Sequence, residues 1–176
     1  MYLAETLDKH IRVHLNPRVL KRYIDDGVCI IKLTPFRTVH DTLNSWHKSL
    51  HVAEKDLTLS RHKVHILDTW IIADEQGFLH HETYRKPLTI YDYIPAGSAH
   101  KKTMFASIAR SECMRMTLTN THRKDFLKNM RLFANKARNR GHCVRQIIQN
   151  TKHIEHANRF NMLQTWRQER AQQKPL

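Results

Sequence analysis

Two adjacent aspartates, Asp25 and Asp26, are the residues of this sequence best suited to chemistry. They follow Tyr23 and Ile24 between two runs of β-forming residues, and Gly27 suits a chain reversal there. Carboxylates at the end of a hairpin suit divalent cations, because short strands fix the ligands while the end stays open to ions. Mg²⁺ or Mn²⁺ held in this way catalyses phosphoryl transfer. The alternative is a solvated Asp-Asp-Gly turn with no chemistry.

The elements that must position these aspartates are predicted from hydrophobic spacing. Apolar residues at every fourth position predict a helix over residues 2–15, and the spacing from Phe36 to Leu50 predicts a second helix. A second hairpin is expected, with one strand over residues 64–72, a turn at 74–77 and a return over 78–84. Four apolar helical faces follow residue 101, and Gly141 is expected to end the second of these helices. The fold class is therefore α+β.

Positive charge is concentrated in the second half of the chain. The formal net charge is +14, yet residues 1–100 hold 13 Lys and Arg against 12 Asp and Glu, whereas residues 101–176 hold 17 against 4. A cationic face of this kind attracts phosphate polyanions through counterion release. Because the charge alternates with apolar stripes over several predicted helices, it favours nucleic acid over a membrane surface as the partner.

The compartment is predicted only in outline. The longest uninterrupted apolar run, Val28 to Ile31, is too short to cross a bilayer, and no secretory signal is recognisable after Met1. Three widely spaced cysteines, an odd number, predict free thiols and a reducing environment. These features predict an intracellular protein without a membrane partner, and they fit the nucleus or an organelle equally well.

The sequence resembles reverse transcriptases, which are RNA-directed DNA polymerases, and Penelope-like element reverse transcriptases in particular. The resemblance extends in order from about residue 3 to residue 163. The segments that carry it are Arg22 to Asp26, Leu43 to His47, Ile66 to Thr69, Gly77 to His80, Tyr84 to Pro87, Tyr93 to Pro95, Ser98 to Lys102, and Arg140 to His142. The resemblance implies residues 1–90 as the C-terminal part of a polymerase palm and residues 91–176 as a basic helical thumb.

The same resemblance implies roles for individual residues. Asp25 and Asp26 are implied as metal ligands and catalytic residues of two-metal nucleotidyl transfer, and Lys55 is a candidate general acid that protonates pyrophosphate. An RNA template, an RNA–DNA hybrid and a dNTP are the implied partners. The residues expected to contact nucleic acid are Tyr23, Arg85, Lys86, His100, Lys101, Lys102, Arg138 and Arg140.

The sequence departs from the family in one respect that bears on activity. Such polymerases carry another metal-binding aspartate on an earlier strand, and fingers that hold the nucleotide. The only acidic residues before the signature, Glu5 and Asp8, fall in the first predicted helix. We therefore expect the chain to be inactive alone, with the missing portion supplied in cis or in trans. The alternative function is a non-enzymatic RNA-binding protein, such as a domesticated subunit of a ribonucleoprotein.

Overall fold

The computed structural model describes residues 2–24, 26–86 and 93–172, which combine helices with short antiparallel strands. The α+β class is therefore confirmed. The chain divides into two units, Met1–Leu67 and Asp68–Leu176. Contacts thus group the second hairpin with the helices that follow it. The expected boundary between residues 90 and 91, which separates polymerase subdomains, stays a prediction.

The described residues of the first unit form two helices and three strands. In chain order its elements are α1 (Tyr2–Leu15), β1 (Val19–Tyr23), β2 (Asp26–Ile30), α2 (Phe36–Asn44), a 3-10 turn (Glu54–Asp56) and β3 (Lys63–Ile66). The predicted first helix is confirmed. Its Ile11 and the Val39 of α2 are buried, because each lies on the apolar face of its amphipathic helix.

Helix α2 ends earlier than its spacing predicts, because Asn44 redirects the chain. The Nδ2 atom of Asn44 donates to the carbonyl oxygen of Val52 at 3.1 Å, and its Oδ1 accepts from the amide of Val52 at 2.8 Å. An asparagine side chain that bonds both backbone groups of a later residue competes with continued helix. Trp46 and Leu50 consequently lie beyond the helix.

In the second unit, the part of the chain that the structure describes forms a hairpin and four helices. Its elements are β4 (Thr69–Ala73), β5 (Leu79–Thr83), α3 (Lys102–Thr119), α4 (Arg123–Asn139), α5 (Val144–Thr151), a 3-10 turn (His156–Asn158) and α6 (Arg159–Gln172). Strands β4 and β5 pair antiparallel, with Thr69 opposite Thr83 and Ala73 opposite Leu79. The predicted turn is confirmed: Asp74 Oδ1 accepts from the amides of Gln76 and Phe78.

The prediction of one continuous strand over residues 64–72 is wrong, because the structure has two strands there, β3 and β4. The structure interrupts it at Leu67, which has a positive φ of 53°. Glycine and asparagine favour that backbone conformation and leucine does not, so the interruption leaves no signal in the sequence.

The core of the second unit lies between α3, α4 and α5. Phe105, Cys113 and Met116 from α3 meet Phe133 from α4 and Ile147 from α5, all of them buried. The apolar faces predicted for α3 and α4 are confirmed in outline. The third and fourth predicted faces include Ile148 and Phe160. These two faces are partly wrong, because Ile148 is 61% exposed and Phe160 66% exposed.

The structure also bears on the thiols and on the apolar character of the helices. The three cysteines Cys29, Cys113 and Cys143 carry free thiols, as their number and spacing predict. Among the helices of the described ranges, none has the length and apolar character needed to cross a membrane.

Candidate functional site

The signature hairpin places Tyr23 and Asp26 on its exposed face. These two residues are direct partners at the end of the β1–β2 ladder. Side chains alternate between faces along a strand, so Leu20 and Arg22 of β1 are partly buried while Lys21 and Tyr23 are exposed. Asp26 is exposed as well. The hairpin thus presents a phenol and a carboxylate side by side to solvent.

Arg22 holds this end of the hairpin to helix α1. Its Nε donates to Asp8 Oδ1 at 2.8 Å and its Nη2 to Asp8 Oδ2 at 3.3 Å. Its Nη1 donates to the carbonyl oxygen of Ile24 at 2.9 Å, next to the signature aspartates. The hydrogen bond to Asp8 raises the pKa of Arg22. A two-pronged guanidinium contact fixes geometry better than a single bond, so Arg22 is a positioning residue for the hairpin end.

The catalytic assignments themselves stay predictions. Asp25 lies outside the described residues. No group of three or more His, Cys, Asp or Glu side chains within the described ranges could hold a metal ion. Lys55 is exposed in the 3-10 turn Glu54–Asp56.

The hairpin of the second unit is fastened to α3 by a network of charged groups. Arg115 donates from Nη1 to Asp68 Oδ2 at 2.8 Å and from Nη2 to Glu112 Oε2 at 2.9 Å. Burial alone would lower the pKa of Arg115, but these two carboxylates outweigh it and raise the pKa. Asp68 immediately precedes β4, so the network fixes the start of the hairpin against the middle of α3.

Arg85 and Tyr93 continue the same network. The Tyr93 hydroxyl donates to Glu112 Oε2 at 3.3 Å. Burial and the charge of Glu112 raise the pKa of Tyr93 to about 12, against an opposing effect of Arg85. The guanidinium nitrogens of Arg85 are buried, whereas neighbouring Lys86 is exposed. Of these two predicted nucleic-acid contacts, only Lys86 therefore presents its charge to solvent.

Two segments that resemble thumb motifs meet although more than forty residues separate them. The amide of Ala96 donates to the carbonyl oxygen of Arg140 at 2.9 Å, and His142 Nε2 donates to the carbonyl oxygen of Ile94 at 2.7 Å. The His142 ring also stacks on Phe105, with centroids 3.4 Å apart and planes 8° apart. The turn after α4 is thus the docking point for the segment that leads into α3.

The predicted phosphate contacts of the helical unit belong to the two segments that this junction joins. His100 and Lys101 are exposed just before α3, and His100 Nδ1 lies 3.1 Å from Ser98 Oγ. Arg138 is exposed in the last turn of α4, and Arg140 is partly exposed just beyond it. Lys102 is the first residue of α3. The hydrogen bond from Ala96 to Arg140 therefore joins the two segments of the chain that carry these cations.

Sequence reasoning missed the polar centre of this unit, which is Asn120. Its side chain is fully buried, and its Oδ1 accepts from the amide of Thr83 at 3.1 Å and from Asn129 Nδ2 at 3.3 Å. Its Nδ2 donates to Thr83 Oγ1 and to the carbonyl oxygen of Met116, both at 2.7 Å. The only signal was the polar triplet Thr119-Asn120-Thr121 between two apolar helices. Asn120 joins β5, α3 and α4 at one point.

Comparison with protein-family models, with curated proteins and with solved structures gives no match. The resemblance to reverse transcriptases accordingly rests on the ordered segments of the sequence.

Proposed function

We propose that this chain is part of an RNA-directed DNA polymerase and that its helical unit binds the nucleic acid. The observation that supports the proposal most is the cationic end of that unit. There, the amide of Ala96 bonds the carbonyl oxygen of Arg140, exposed His100 and Lys101 follow the first of the two joined segments, and exposed Arg138 precedes the second. Rigid docking of these segments fixes the spacing of the cations, as binding to a regular phosphate backbone requires.

The charge balance favours a polyanionic partner. Residues 101–176 hold 17 Lys and Arg against 4 Asp and Glu. One of those four, Glu112, is engaged by Arg115 and so does not neutralise the surface cations. Each cation that meets a phosphate releases counterions from the nucleic acid, which makes the affinity strongly dependent on salt.

The hairpin Tyr23 to Asp26 is the catalytic part of the proposal. Mg²⁺ or Mn²⁺ needs several oxygen ligands, and two-metal nucleotidyl transfer takes them from more than one element. The described residues do not fit such an ion by themselves: Asp26 is exposed, and the nearby carboxylate of Asp8 is paired with Arg22. Completion of the site requires Asp25 together with a portion of the polymerase that carries another aspartate.

Binding is tested with the full chain. Fluorescence anisotropy over a range of salt concentrations compares a short RNA–DNA hybrid with single-stranded RNA, duplex DNA and heparin. We expect the hybrid to bind more tightly than heparin at matched charge. Equal affinity for every polyanion, or no binding at physiological salt, would contradict the proposal.

Catalysis is tested by Asp25→Asn in the chain completed by a segment that supplies the fingers and the other aspartate. Primer extension on an RNA template should be lost, because a neutral amide replaces a metal ligand, while affinity for the hybrid stays unchanged. Glu75→Gln, which neutralises an exposed carboxylate in the other hairpin, is the control. If Asp25→Asn still extends the primer, the catalytic role is wrong. If the completed wild-type chain binds RNA but never extends a primer, the non-enzymatic RNA-binding function is favoured.

A further inference from the structure

The outer face of α4 carries a row of cations, which we call the α4 row: Lys124, Arg131 and Arg138. They follow one another at intervals of seven residues, and all three are exposed. Seven residues fall only about 20° short of two helical turns, so the three side chains leave the helix in nearly the same direction. At about 1.5 Å per residue the row is about 21 Å long. Phe126 and Phe133 are buried on the other side of the helix, so the core fixes the direction of the row.

The charge of the α4 row is not neutralised within the part of the chain that the structure describes. None of the ion pairs there involves a member of the row, whereas Lys128 on the same face pairs with Glu82 of β5 at 2.9 Å. Asp125 directly follows Lys124, and adjacent positions of a helix do not face each other. The sequence between Asp125 and Glu155 holds seven Lys and Arg and no acidic residue. The row is therefore open to an external anion.

The residues around the α4 row indicate which anion it fits. A helix that lies on a membrane needs a free apolar face, and the apolar face of α4 is buried in the core of its own unit. A partner helix needs an apolar seam beside the charges. The outer face of α4 offers Asn135 and Asn139 there, with Leu132 as its exposed apolar residue. A partner with repeated negative charge and little apolar surface, such as a phosphate backbone, fits this face best.

We propose that the outer face of α4 binds the phosphate backbone of one nucleic-acid strand, which follows the α4 row from Arg138 to Lys124. The two guanidinium forks match phosphate oxygens, and the lysine adds a point charge. Exposed Asn135 lies between Arg131 and Arg138, and its amide is a donor for phosphate or sugar oxygens. The inference rests on the proposed function and extends the contact from Arg138 along the whole helix.

The first test compares two double variants of equal charge in the full chain. Lys124→Gln/Arg131→Gln removes two members of the α4 row, and Lys152→Gln/Arg167→Gln removes one lysine and one arginine from exposed positions outside α4. The first should weaken binding of an RNA–DNA hybrid several-fold and lower the salt slope by about two, since each lost phosphate contact removes about one. The second should change both much less. Equal losses would overturn the proposal.

Folding of both double variants is checked by thermal unfolding. Glutamine favours a helix nearly as well as lysine and arginine do, and the positions are exposed, so we expect both variants to unfold close to the wild type. A loss of hybrid binding then reports the contact and not the fold.

The second test separates a phosphate backbone from other polyanions. Wild type and Lys124→Gln/Arg131→Gln are titrated with the hybrid, with polyglutamate and with vesicles that contain phosphatidylserine. We expect the substitutions to weaken binding of the hybrid most. If they weaken binding of polyglutamate or vesicles and leave the hybrid unaffected, the partner is an acidic protein or a membrane, and the proposal is wrong.

Failure of this inference is distinguishable from failure of the proposed function. If Arg138→Gln/Arg140→Gln weakens hybrid binding while Lys124→Gln/Arg131→Gln does not, the proposed function survives and the contact along α4 is wrong. If the wild-type chain does not bind the hybrid at physiological salt, the proposed function fails and the α4 row loses its nucleic-acid partner with it.

Discussion

Gly141 satisfies a backbone constraint at the turn that closes α4. Its φ is +86°, and a Cβ built on it would lie 3.4 Å from the Cβ of Ala96. The amide of Gly141 donates to the carbonyl oxygen of Arg138, and that of His142 to the carbonyl oxygen of Ala137. These two bonds form a Schellman motif, which needs a left-handed residue at this position. The turn that docks the segment before α3 thus depends on a glycine.

Gly141→Ala should lower the free energy of unfolding by about 1 to 2 kcal/mol, the usual cost of a left-handed conformation for a residue with a side chain. Urea denaturation of the full chain measures it. Gly97→Ala is the matched control, because nothing lies within 4 Å of a Cβ there and its φ is not in the left-handed region. Equal effects of the two substitutions would show that the turn does not carry the strain described.

His81 makes the stability of the helical unit dependent on pH. Its pKa is lowered by burial first, then by the charges of Arg159 and His80. The unfolded chain therefore binds a proton at this position more readily than the folded chain does. The free energy of unfolding should consequently fall as pH decreases from the ordinary histidine pKa towards the lowered folded value.

The measurement compares the wild type with His81→Asn between neutral and mildly acidic pH, in a buffer free of phosphate. Asparagine keeps an acceptor near Nδ1 for Thr121 and Arg159 but does not titrate. We expect the wild type to lose more stability than the variant on acidification. His153→Asn controls for removal of a histidine from an exposed position. Parallel pH profiles for wild type and His81→Asn would refute the linkage.

At the scale of elements, Asn120 decides how β5 packs on the helices. It links the amide and hydroxyl of Thr83 to Met116 near the end of α3 and to Asn129 in the second turn of α4. His156 adds a bond from Nε2 to the carbonyl oxygen of Asn120 at 2.9 Å. Buried polar groups are stable only when they are satisfied, and loss of one partner leaves the others without bonds.

Asn120→Ala should lower the free energy of unfolding by about 3 kcal/mol, because it leaves the buried Thr83 amide without its acceptor and removes a donor from the Met116 carbonyl oxygen. Chemical denaturation is the measurement. Asn135→Ala, an exposed position on α4, should change stability little. A small effect of Asn120→Ala would mean that water replaces the side chain and that the junction is not dry.

The elements also show what sequence can predict. Helix α1 and the ladder from Val19 to Tyr23 follow from local hydrophobic spacing and turn residues, which are properties of neighbouring positions. The early end of α2 at Asn44 and the burial of Asn120 depend on partners 8 to 37 residues away. Local propensity carries no information about such partners. The same holds for the candidate sites: the signature hairpin is visible in the sequence, whereas the hydrogen bond from Ala96 to Arg140 joins segments that lie far apart in the chain.

At the scale of the whole molecule, the two halves of the chain have different electrostatic roles. The first 100 residues are almost balanced in charge, and the excess of cations lies beyond them. We therefore expect the affinity for nucleic acid to fall far more when charge is removed from the helical unit than when it is removed from Met1–Leu67. In the proposed function the affinity for nucleic acid depends on local phosphate contacts as well as on net charge, so variants of equal charge separate the two effects.

The double variant Arg138→Gln/Arg140→Gln should weaken binding of an RNA–DNA hybrid by tenfold or more and lower the salt slope by about two, since each lost phosphate contact removes about one. The matched control is Arg37→Gln/Arg61→Gln, which removes two exposed cations from the first unit. Anisotropy titrations at several salt concentrations measure both variants. If both pairs weaken binding equally, net charge alone attracts the hybrid and the cationic end of the helical unit is not its binding surface. A loss confined to Arg138 and Arg140 would locate the phosphate backbone at the end of the unit where Ala96 meets Arg140.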